Sequence, residues 1–238
     1  MLIHLFLDAF NNYGVGWFEP FNHIRVSFNT IYVADVLMML VPFISLVILL
    51  LQPSFNKNRM RWAKAGIAWA SLYICVCIFN KYLINDYVSK AFVRRQIPHM
   101  EYFTTPAPLQ NMLWMVVAGD EKGYYVGYRS VLDTDTAIDF QYFPRNDRLL
   151  QSVIHHEEVI LLKRFSQGFY TVEQWNDTLV FNDLRFGQII GWHDPKEKFV
   201  FHYFLKHLAD NRLVIQRGRF AKWDRQNIIS FLKRIRGN

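Results

Sequence analysis

The chain has only two cysteines in 238 residues, Cys75 and Cys77, and both fall inside one apolar run. Two residues apart on a helix they point in different directions. A disulfide between them is therefore not expected, and cysteine usage says nothing about a secreted fold built on disulfides. The first residues lack a basic stretch and a small-residue cleavage site, so no cleavable signal peptide is expected. No G-x-S-x-G, Walker loop or Rossmann glycine pattern is present, which removes the nucleophile elbow and the common phosphate-binding loops. Internal repeats and low-complexity tracts are also missing. Acidic residues are fewer than basic ones, 20 against 27, for a formal net charge of +7. That balance suits anionic lipid and equally suits nucleic acid.

What the chain does have is long apolar runs. The first, Ile31 to Leu51, holds one charge, Asp35, and one proline, Pro42. It is about as long as a helix must be to cross ~30 Å of hydrocarbon. A second runs from Trp62 to about Leu83, with Lys64 and Lys81 near its ends, where long side chains can snorkel to headgroups. The short basic link QPSFNKNRMR joins them. The pattern predicts a helical hairpin with transmembrane helices near 31–51 and 62–83. A soluble helical core is the competing reading.

Ahead of the hairpin, MLIHLFLDAF reads as a short helix stopped by Asn11-Asn12-Tyr13-Gly14. His4 and Asp8 share one face of it, one turn apart. Residues 15–30 are aromatic and turn-rich, with Trp17, Phe18, Phe21 and Phe28 suited to an interfacial belt. Residues 84–104 read as a basic amphipathic connection, closed by Thr104-Thr105-Pro106. Beyond it the period shortens. A β-hairpin is expected over Asn111–Ala118 and Tyr124–Val131, then a strand at Ala137–Phe143 and a helix at Leu149–Arg164 that includes Ile154. Further strands are expected at Phe169–Gln174, Thr178–Asp183, Arg185–Trp192 and, less definitely, Phe199–Tyr203, with Phe204–Leu208 readable as a helix end. A basic helix closes the chain, from Asp224 to Arg236. The expected architecture is therefore a membrane α-helical part, residues 1–104, with two transmembrane helices plus a short helix. A soluble α+β domain, residues 105–238, follows it.

Several stretches carry a family resemblance. His4-Leu-Phe-Leu-Asp8, Tyr13-Gly14, Glu19-Pro20-Phe21 and Val33-Ala34-Asp35 resemble motifs of the YdjM-like family, bacterial inner-membrane proteins regarded as metal-dependent hydrolases. Pro106-Ala-Pro108-Leu-Gln-Asn111-Met-Leu-Trp114, Gly123-Tyr124-Tyr125-Val-Gly127-Tyr128, Gly168-Phe169-Tyr170 and Asp183-Leu-Arg185-Phe186-Gly187 resemble pieces of its longer members. The resemblance implies a multi-pass protein of the bacterial cytoplasmic membrane. It also implies further helices with a Pro-Asp-x-Asp motif and a His-rich loop ending Thr-His-Ser. Neither motif stands in this sequence, so a shortened form or a C-terminal portion of such a hydrolase is expected.

Imidazole and carboxylate one helical turn apart suit a divalent metal ion, zinc the first choice, or else form a plain hydrogen-bonded pair. The resemblance favours His4 and Asp8 as ligands. Asp35 would be a third ligand or an orienter, or else an N-terminal complement to the helix dipole. A bound metal would activate water against an ester or phosphoester of a lipid-proximal substrate. The alternative is a non-catalytic membrane-anchored interaction module. Other histidines are weaker candidates. His155-His156-Glu157-Glu158 reads as an exposed charged patch, His193-Asp194-Pro195 as a turn, and His202 and His207 do not align on a helix. Asp133-Thr-Asp135 lacks the glycine and terminal glutamate of an EF-hand. The basic tail, with Trp223, favours membrane lipid or its own domain over nucleic acid.

Overall fold

The computed structural model describes residues 2–135, 137–153, 156–205 and 220–237. They form two compact units: residues 1–86 with 105–113, and residues 87–104 with 114–238. The first is helical and the second is rich in sheet.

In the helical unit, α1 spans Leu2–Asp8. It stops as its pattern predicts: Phe10 and Asn11 close onto the carbonyls of Leu7 and Asp8, and Gly14 takes a positive φ of 69°. The following aromatic stretch folds back on α1. Val15 and Val26 bridge each other, Phe28 N donates to Ala9 O at 2.7 Å, and the Trp17 indole donates to Leu5 O at 3.2 Å. Helix α2 then spans Val36–Leu51 and α3 spans Arg59–Arg95. With 16 residues, α2 is shorter than the apolar run that holds it. The reason is Asp35, whose extended backbone and side chain cap the helix and set its first turn at Val36. At 37 residues α3 is long and apolar enough to cross a membrane, whereas α2 reaches only ~24 Å. The connection expected over 84–104 is in its first half a continuation of α3.

Contacts along their lengths hold α2 and α3 side by side. At one end the Tyr73 hydroxyl meets Asp35. Midway, Gly66 faces Ser45 so closely that a Cβ on it would lie 3.2 Å from the serine Cβ and Oγ, the small-on-small contact that lets membrane helices approach. At the other end Arg59 donates to the carbonyls of Leu49 and Gln52, which the end of α2 leaves without helical partners. The outward surface stays apolar: Phe43, Leu50, Leu51, Ile67, Leu72 and Phe79 are all exposed. Apolar surface that extensive is the kind lipid covers. Lys81, expected at the headgroups, donates to Asn29 O at 3.2 Å.

The sheet-rich unit has a four-stranded sheet of order β1-β2-β3-β4, Glu101–Pro106, Leu113–Gly119, Gly123–Ser130 and Phe140–Pro144. The expected hairpin is β2–β3, with Asp120 Oδ1 closing its turn onto Lys122 N. Strand β1 replaces the surface connection expected there. A second sheet, β5-β6-β7, joins Tyr170–Trp175, Thr178–Gln188 and Phe199–Phe204 in antiparallel order. The single helix expected over 149–164 is instead a 3-10 turn, Asp147–Ser152, and α4, His156–Phe165. Between them Val153 is extended and buried, drawn into the core with Leu150, Val159, Tyr170 and Phe181. Ile154 lies outside the described residues, as do His155, His207 and residues 206–208 of the expected helix end.

Two strands were expected where β6 runs unbroken. All eleven residues of β6 are buried, Asp183 and Arg185 among them. Spaced two apart they share one face and pair there. Arg185 Nε and Nη2 reach Asp183 Oδ1 and Oδ2 at 3.1 and 2.7 Å, and Arg185 N adds a third bond. The register against β7 shifts between Asp183 and Gln188, where Gly187 has a φ of 79°. In β7, His202 is buried with Nδ1 3.2 Å from Phe199 O. Its burial and then the nearby Lys198 charge lower its pKa, although its contacts with Phe199 O and Val200 and the Glu173 charge work the other way. Helix α5, Arg225–Ile235, closes the chain with Asp224 as its N-cap.

Candidate functional site

Helix α1 presents His4 and Asp8 as its sequence predicts. Nε2 of His4 lies 3.1 Å from Asp8 Oδ2, and both side chains stand in the open, 78% and 43% exposed. A second pair of the same spacing, not anticipated from the sequence, sits in the loop that follows. There His23 Nδ1 is 2.7 Å from Glu19 Oε2. The i, i+4 spacing was its available signal, hidden by the turn-rich setting.

Asp35 occupies different surroundings. Only 1% exposed, it accepts from Met38 N at 3.0 Å through Oδ1 and from the Tyr73 hydroxyl at 3.0 Å through Oδ2. Both carboxylate oxygens are therefore engaged, one on the helix it starts and one on the helix beside it. This is the N-terminal role weighed for it above, with an added tie to α3 that the sequence did not disclose. Nearby, Asn80 of α3 donates to the backbone and side-chain oxygens of Asn111, whose own amide donates to Thr30 O at 2.7 Å. Thr30 N in turn bonds Phe10 O at 2.7 Å, just past α1. The chain segments around Phe10, Thr30, Asn80 and Asn111 are thus pinned by buried polar groups, which are costly to leave unpaired.

A catalytic zinc takes three protein ligands and keeps one position open. The donor chemistry of His4 and Asp8 fits such an ion, but the count does not. Among the described residues no group of three or more His, Cys, Asp or Glu could hold a metal ion. Two of the weaker sequence candidates, Asp133 and His193, have partners of their own. Asp133 is buried against the Arg234 guanidinium at 2.6 and 2.8 Å and accepts from Ser130 N. His193 lies in a turn, with Nδ1 3.1 Å from Ser230 Oγ. In the sheet-rich unit the recurring glycine and tyrosine motifs are structural: the Tyr124 hydroxyl donates to Gly168 O at 2.6 Å, and Arg145 donates to the same carbonyl at 2.9 Å.

The described residues thus combine a helical unit with an apolar exterior and a sheet-rich unit. Residues 1–84 match the YdjM inner membrane protein family. No curated protein and no solved structure matches the chain.

Proposed function

We propose that this chain takes part in metal-dependent hydrolysis at the bacterial inner membrane, on an ester or phosphoester close to the bilayer surface. The observation behind this reading is the His4–Asp8 pair, set 3.1 Å apart on an open helix face within the stretch that matches the YdjM family. On this reading the two side chains are ligands to a divalent ion, zinc first. Asp35 is a structural residue, and both α2 and α3 lie in lipid as a multi-pass anchor. The alternative, a membrane-anchored module without catalysis, is favoured by the ligand count. Metal analysis of the full chain in its native membrane separates the two. The hydrolase reading expects bound zinc that falls about tenfold on His4→Ala or Asp8→Ala and is kept in Asp35→Asn. Metal content that is negligible and indifferent to His4→Ala establishes the module.

A further inference from the structure

We propose that the outer face of α5 docks on an anionic phospholipid surface. At helical spacing Arg225, Ile228, Ile229, Leu232, Lys233 and Arg236 fall on one face. Every one of them is exposed, the three aliphatic residues by 40%, 56% and 51%. The opposite face is already occupied by the helix's own domain. Phe231 is buried there against Trp192 and Trp223, Arg234 is held by Asp133 and by Tyr128 O, and Ser130 Oγ donates to Ile235 O. The helix is thus fixed by one side while its other side keeps aliphatic and cationic groups in the open.

That combination selects the occupant. From Arg225 to Arg236 there is no acidic residue, so the face carries positive charge only. Arg225, Lys233 and Arg236 complement anionic headgroups, and Ile228, Ile229 and Leu232 between them can enter the acyl boundary, the usual division of labour on a helix lying in a membrane interface. A nucleic acid would satisfy the cations but leave the aliphatic side chains in water, and this face has no aromatic ring on which a base could stack. Residues 1–84 of the same chain match an inner membrane protein family, which argues for a bilayer within the chain's reach. The inference does not depend on any hydrolase activity.

Amide hydrogen exchange of the full chain in nanodiscs tests it. Exchange across residues 225–236 is expected to slow about tenfold in discs containing phosphatidylglycerol relative to phosphatidylcholine alone, and high salt should reverse the change, since each basic residue adds roughly fivefold in surface affinity. K233E/R236E and I229S/L232S should each abolish the slowing, while exchange in β5–β7 stays at its normal rate. Equal exchange in both lipids overturns the proposal. So does slowing by a single-stranded oligonucleotide in phosphatidylcholine discs without any response to phosphatidylglycerol.

Discussion

Asp35→Ala is expected to destabilise the helical unit by ~2–4 kcal/mol, and Asp35→Asn by much less. Alanine removes the cap on α2, a loss of about 1 kcal/mol, and leaves the Tyr73 hydroxyl without its buried acceptor, which costs ~1–3 kcal/mol more. Asparagine caps helices about as well as aspartate, and its amide oxygen can accept from Met38 N or Tyr73. The two oxygens of Asp35 now serve two different helices. Losing the cap should therefore also loosen the contact between α2 and α3. Thermal unfolding in a single mild detergent, comparing wild type, both Asp35 variants and Tyr73→Phe, measures this directly. Tyr73→Phe should fall between the two Asp35 variants. If Asn were as damaging as Ala, the negative charge would matter more than the hydrogen bonds, and a role for Asp35 beyond structure would return.

A comparable loss is expected in the sheet-rich unit when one half of the Asp183–Arg185 pair is removed. Both side chains are buried, and three hydrogen bonds join the two residues. The guanidinium also lies over the Phe165 and Phe186 rings, 4.9 and 5.2 Å from their centroids. Burial raises the Asp183 pKa, although the Arg185 charge and its hydrogen bonds pull it down. Without the Arg185 side chain only the backbone N–H of residue 185 still opposes burial, and the carboxyl takes up a proton more readily. Arg185→Met or Asp183→Leu alone should cost ~3–5 kcal/mol, because each strands a polar partner away from water. The double variant should cost much less than the sum, since neither stranded group remains. Urea unfolding of the full chain, followed at β5–β7, gives the three values. Additive losses would mean that the two residues act separately.

These two sites show what the sequence discloses and where it stops. The apolar runs predicted the helices because a long apolar stretch leaves a one-dimensional signature. The start of α2 was misplaced by five residues, since hydropathy is blind to a cap; the extended backbone of Asp35 ended the run's helical part at Val36. The expected break between Asp183 and Arg185 is absent, and their spacing of two places them as a pair on one strand face. The tie from Asp35 to Tyr73, and the one from Asn80 through Asn111 to Thr30, could not be read from pattern. Their partners lie 31 to 81 residues apart, and only the fold brings them together. His4 and Asp8 were fully legible because a helix turn alone determines their separation.

The central claim is that lipid, rather than water, covers the outward face of α2 and α3. Cys75 tests it most directly, because it stands exposed on α3 while Cys77, two residues on, is buried. A membrane-impermeant maleimide applied to permeabilised membranes, with both sides open to the reagent, should leave Cys75 unlabelled and modify it only after the chain is unfolded in denaturant. Prompt modification of Cys75 in the folded chain would put water against that face and contradict the account.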